Sequence, residues 1–124
     1  MAINGTHYGY YDGLGVYEAT FTNTTFTYEY LTPADTYYGS FDVLFYDNDE
    51  GFVLLRCTDN NDPEEIGKYQ KILWTENSGS YTVSYTVSYT ETSFDGIHIT
   101  KTDDFMIEDA SVFPTQAEAE ALAP

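Results

Sequence analysis

The stretch Tyr81-Thr82-Val83-Ser84-Tyr85-Thr86-Val87-Ser88-Tyr89-Thr90 alternates without a break: odd positions are Tyr or Val, even positions Thr or Ser. Successive side chains of an extended strand point to opposite faces. This segment therefore has one large apolar-aromatic face and one small hydroxylated face. The pattern predicts a sheet packed on one side and wet on the other. Shorter versions of it recur along the chain. Residues 6–11 read as a loose first strand ended by a turn at Asp12-Gly13, and residues 16–21 as the second. After Thr22-Asn23-Thr24, residues 25–31 place Phe26, Tyr28 and Tyr30 on one face, and Pro33 and Asp35 end the run.

Residues 38–46 and 52–58 are apolar runs joined by Asp47-Asn48-Asp49-Glu50-Gly51, the composition of a hairpin turn. In the first of these runs Phe41, Val43 and Phe45 share a face, against Asp42 and Leu44. A polar loop, Asp59 to Glu65, precedes a strand over 66–76 that contains Tyr69, Ile72, Leu73 and Trp74. Asn77-Ser78-Gly79-Ser80 then turns the chain into the tyrosine strand, 81–90. Shorter pieces at 97–101 and 105–108 complete the set. Helical signal appears once, within 113–122: the segment is alanine-rich, and Thr115 with Glu118 has the capping-box spacing.

About eight consecutive antiparallel strands with short connections leave two exposed edges unless the sheet closes. No helix before residue 115 is available to cover an edge, whereas an up-and-down barrel removes both edges with no extra chain. The expected fold is all-β: one domain over 1–124, an antiparallel up-and-down barrel of about eight strands with one short C-terminal helix. Leu44, Tyr46, Leu55 and Tyr69 make some strands apolar on both faces. That points to a homodimer contact, or to the C-terminal helix docking outside the barrel.

Three stretches carry a resemblance to a known family: Tyr38-Gly39-Ser40-Phe41 leading through Gly51-Phe52-Val53; Ile66-Gly67-Lys68-Tyr69 running to Leu73-Trp74-Thr75-Glu76; and Phe113-Pro114-Thr115-Gln116-Ala117-Glu118-Ala119. Together they span about residues 38–122. In the order of its elements the chain resembles the lipocalin-like, or calycin-like, barrels, and more narrowly the small barrel domains of bacterial lipoproteins and surface proteins of the kind found in spirochaetes. The resemblance implies an eight-stranded barrel and an extracytoplasmic location, periplasmic or at the cell surface. None of the three stretches is a catalytic motif, so no functional residue carries over.

Composition narrows the partners. The formal charge is −17, from 21 acids against Arg56, Lys68, Lys71 and Lys101. Nucleic acid and anionic membrane surfaces, both recognised through Lys and Arg, are excluded as expected partners. No apolar run approaches the roughly 20 residues that span a bilayer. Met1 to Thr6 contain neither a basic nor an apolar region of the secretory type. Cys57 is the only cysteine and has no metal-type cluster nearby, so it reads as a buried, inert thiol.

Chemistry is sparse. The two histidines, His7 and His98, stand apart, and neither a nucleophile elbow nor a phosphate-cradling loop is present. No enzyme and no cofactor are expected. Asp47, Asp49, Asp59 and Asn61 set oxygen ligands at alternate positions, which makes them weak calcium candidates; the same residues are ordinary turn formers. The remaining candidate is the barrel interior, which small barrels either fill with side chains or keep open for one ligand. Phe26, Tyr28, Tyr81, Tyr85 and Tyr89 are the expected lining, with Arg56 and Trp74 as anchors, for a small hydrophobic or aromatic ligand. The alternative is a self-filled structural or interaction module of a cell-surface or phage assembly.

Overall fold

The computed structural model describes residues 1–31, 33–86 and 106–124. The expected strand at 97–101, and with it Tyr89 and His98, lies outside the described residues. Eight strands form one sheet in sequence order: β1 (Gly5–Tyr11), β2 (Gly15–Phe21), β3 (Thr25–Tyr30), β4 (Tyr38–Asp47), β5 (Phe52–Asn60), β6 (Tyr69–Asn77), β7 (Ser80–Thr86) and β8 (Met106–Val112). Each pairs antiparallel with the next. Two reciprocal hydrogen bonds, Tyr8 N–H to the Phe113 carbonyl and Phe113 N–H to the Tyr8 carbonyl, both 2.8 Å, bring β1 back to the end of β8. The result is a nearly closed up-and-down barrel.

Alternation decides what lies inside. Tyr17, Ala19 and Phe21 of β2 face the interior with Phe26, Tyr28 and Tyr30 of β3, and the cross-strand pairs Phe21–Phe26 and Phe26–Phe41 bring ring centroids to 4.5 and 5.6 Å. On β7 the tyrosine face turns inward as expected: Val83 is buried, and Tyr81 and Tyr85 pack against the core. The exception is β4. Register shifts between Val43 and Phe45, where Leu44 is an extra residue without a partner on β5. The bulge reverses the phase of the strand. Phe45, expected on the face of Phe41 and Val43, therefore pairs with Leu54 on the outer face and packs on Phe52 at 5.7 Å, while Tyr46 turns inward.

The outer face of β5 and β6 carries a second buried cluster, Leu54 with Tyr69; Phe52, Lys71 and Thr86 are buried as well, and the Lys71 amide donates to Thr86 Oγ1 at 2.9 Å. The double-sided apolarity of these strands is thus real. The C-terminal helix, however, packs elsewhere. Helix α1 (Gln116–Glu120) lies against β1 and β2 and buries Ala119. Thr115 caps it, accepting from the Glu118 amide while its hydroxyl donates to Glu118 Oε1 at 2.7 Å.

One end of the barrel is plugged by the residues before β1. Ile3 is completely buried in the core. The Ala2 amide donates to Asn48 Oδ1 in the β4–β5 turn at 2.7 Å, and Asn4 Nδ2 donates to Asn23 Oδ1 in the β2–β3 turn at 2.9 Å. His7, buried between Phe21 and Tyr81 in edge-on contacts, donates from Nε2 to the Ile3 carbonyl at 2.8 Å, the only polarity a carbonyl acceptor permits. The plug rests on Ile3, so Ile3→Ala is expected to cost about 2–5 kcal/mol in urea denaturation, the range for truncating a fully buried Ile. A loss below about 1 kcal/mol would mean that the segment does not seal the barrel.

Candidate functional site

Above the plug the interior is hollow. A cavity of about 330 Å³ begins at Phe21, Phe26 and Val112 and runs past Ala19, Ile72, Val83 and Ala110 to a rim that includes Tyr11, Leu14 and Tyr37. Tyr11 and Tyr37 are exposed and the floor residues are buried, so the cavity is a cup that opens at the end opposite Ile3. Among the described residues six tyrosines line it: Tyr11, Tyr17, Tyr28, Tyr30, Tyr37 and Tyr85. Gln70 adds a polar group, and its Nε2 donates to the Thr86 carbonyl at 2.6 Å. No Asp, Glu, Lys, Arg or His is among the described residues of the lining.

So many rings could have filled an eight-stranded interior. Two glycines hold them to the wall instead. Gly9 faces Tyr17 across β1 and β2, and Gly39 faces Tyr28 across β3 and β4. At both glycines the tyrosine ring lies where a β-carbon would stand; at Gly39 that atom would meet Tyr28 Cε1 at 2.5 Å. Each ring packs against bare backbone, and both rings line the cavity. The geometry suits a glycine in a strand, which marks close approach of another group.

The ring planes meet at steep angles around Tyr30. Tyr28 stands at 88° to it with centroids 6.3 Å apart, Tyr37 at 78° and 6.3 Å, and Tyr17 at 57° and 5.4 Å. Burial pushes the Tyr30 phenol well above its ordinary value, and the neighbouring phenols of Tyr17, Tyr85, Tyr28 and Tyr11 push it further. Tyr28 is raised chiefly by burial, with a side-chain hydrogen bond to Asn60 pulling back. These phenols stay neutral at physiological pH and act as rings and hydrogen-bonding hydroxyls.

The expected site residues separate. Phe26, Tyr28 and Tyr85 line the cup. Tyr81 packs lower, against His7 at the plugged end, and its phenol is raised by burial and by Glu76. Trp74 is buried in the core at that same end, beside Gly51, and is not among the lining residues. Arg56 pairs with Asp42 and Tyr69 on the outer face and is exposed. Neither anchor reaches the cup. Tyr11, Leu14, Tyr17, Tyr37 and Gln70 join it although their sequence context did not single them out.

The calcium candidates occupy opposite ends of the barrel, Asp47 and Asp49 in the β4–β5 turn, Asp59 and Asn61 at the end of β5. Asp47 accepts from the Glu50 amide, Asp59 from the Asn60 amide and Asn61 from the Tyr38 amide, each within 3.0 Å. Three of the four side chains thus accept from backbone amides. Among the described residues no group of three or more His, Cys, Asp or Glu side chains gathers to hold a metal. Cys57 faces inward, donates to the Asp59 carbonyl at 3.4 Å, and has its thiol raised by burial. Among the described residues no helix is long and apolar enough to cross a membrane.

No family model, curated protein or solved structure matches the chain. The fold and the cup define its class: an all-β, antiparallel up-and-down barrel with an aromatic-lined interior open at one end.

Two outcomes follow from this geometry. Gly39→Ala is expected to destabilise the protein by about 1–3 kcal/mol, the cost of forcing a side chain off its seat. In a Tyr28→Ala background the same substitution should cost markedly less, with the Phe41 ring at 3.0 Å the remaining contact, and a double-mutant cycle by urea denaturation measures the difference. The second outcome concerns pH. The folded state holds the Tyr30 proton beyond the unfolded value near 10.0, so the contribution is intact below that pH. As pH rises further, the unfolded chain gives up its proton first and stability falls. Melting temperatures followed across the alkaline range should drop less steeply in Tyr30→Phe than in the unmodified chain.

Proposed function

We propose that the protein is a non-enzymatic carrier or sensor that binds one small apolar or aromatic molecule inside the barrel. One observation supports this above the others: the interior keeps an open cup of about 330 Å³ although the chain has enough rings to fill it. Binding sites for small molecules are concave, largely apolar, and carry a few polar groups that fix orientation. The cup has those attributes. Its apolar floor of Phe21, Phe26, Ile72 and Val112 offers burial, and the phenols and Gln70 offer donors and acceptors. The titratable groups of the described lining are tyrosine phenols, which suit the orientation of a ligand by hydrogen bonds. The resemblance to lipocalin-like barrels accords with interior binding, and it carries the further proposal of an extracytoplasmic setting.

The test is displacement of a fluorescent apolar probe, with Ala19→Phe as the comparison. Ala19 is buried on the inner face of β2 and borders the cavity, so a phenyl group there occupies the cup. Saturable probe binding by the unmodified protein, lost in a folded Ala19→Phe variant, is the expected result. Equal probe uptake by both proteins, or none by either, would favour a self-filled module whose role lies on its acidic exterior.

A further inference from the structure

We propose that the cup is built for an organic cation: a compact, alkylated ammonium head held among the tyrosine rings at the mouth, with an apolar tail laid on the floor. The inference rests on the interior-binding reading and gives it a ligand class. It starts from what the mouth is made of. Tyr28, Tyr37 and Tyr17 are set at 88°, 78° and 57° to Tyr30 and all four rings line the cup, an arrangement we read as an aromatic box. The face of an aromatic ring is negative, and walls of this kind attract quaternary ammonium groups.

Charge supports the same sign. A carboxylate or phosphate head entering the cup would meet no Lys, Arg or His among the described lining residues and would exchange its water for neutral phenol and amide donors alone, with no countercharge. Arg56 is exposed on the outer face, Lys71 is buried outside the barrel, and Lys68 lies 3.9 Å from Glu65. The net charge of −17 further enriches cations at the mouth and repels anions.

The lining also distinguishes among cations. It contains no Asp or Glu among the described residues, so recognition would come from ring faces and phenol oxygens and not from an ion pair. A weakly hydrated, alkylated head suits such a box better than a primary amine, which needs strong acceptors to replace its water. Below the box, Ala19, Phe21, Phe26, Ile72, Val83 and Val112 provide an apolar floor for the tail.

Isothermal titration of octyltrimethylammonium, octan-1-ol and octanoate at about 0.15 M salt, where exposed charges more than a Debye length apart are screened, varies only the head. The cation is expected to bind roughly tenfold tighter than the alcohol, and octanoate weakest. Tyr30→Phe, which keeps the ring, should hold the cation within about twofold. Tyr30→Leu should bring the cation down to the alcohol's affinity and leave the alcohol unchanged. Tyr37→Leu, at the exposed rim, is a second variant with little burden on folding and should shift the cation in the same direction. An alcohol that binds as tightly as the cation, or a Tyr30→Leu loss shared equally by both, overturns the cation inference while interior binding stands. Absence of binding by all three ligands overturns interior binding and this inference with it.

Discussion

Eight strands laid in order leave two edges of unpaired backbone, and the joint between Tyr8 and Phe113 is what brings them together. Its two hydrogen bonds are individually ordinary. Their consequence is that the two edges meet at one point, which makes the barrel nearly closed and shortens the edge that another chain could use as a template. Closure also fixes an inside. Once the sheet curves round, every inward side chain competes for one volume, and the plug at Ile3 seals one end of it. The cup is what remains at the other end. Helix α1 follows Phe113 and packs on β1 and β2, so it buttresses the joint.

The second constraint is the placement of the rings. An interior lined with Phe and Tyr gains much from burial and ring contact, and the lower half of the barrel takes that gain fully, with Phe21, Phe26, Phe41 and Trp74 in contact as one core. The upper half does not. Gly9 and Gly39 let Tyr17 and Tyr28 lie against the wall, which forgoes packing across the centre and leaves room for another molecule. Burial, with the neighbouring phenols adding to it, raises the Tyr30 phenol, so the ring at the centre of the group stays uncharged.

Much of this was legible in the chain. Alternation and turn residues identified β1 to β7, and the Thr115–Glu118 spacing identified the helix; the expected piece at 105–108 reaches only the first part of β8, which runs on to Val112. The inward turn of Tyr81, Val83 and Tyr85 followed from strand geometry alone. The bulge at Leu44 was not legible, because Val43-Leu44-Phe45 is apolar throughout and an extra residue leaves no mark in such a run. Whether the rings fill or line the barrel was hidden for a related reason. It depends on which residue faces which across strands. The tight turn at Asp12-Gly13 could have set Gly9 opposite Tyr17, but the longer connection between β3 and β4 gives no such fix for Tyr28 and Gly39. Trp74 and Arg56 drew attention by residue type. The register places the first in the closed end and the second outside.

The central claim is that closure leaves a hollow, aromatic-walled cup. Xenon tests it directly, since largely apolar cavities take up the gas. In a ¹²⁹Xe NMR titration of the protein, the xenon shift should move in a saturable, protein-dependent way that reports a specific interior site. A shift that grows only linearly with protein concentration, as it does for contact with an outer surface, would contradict the account.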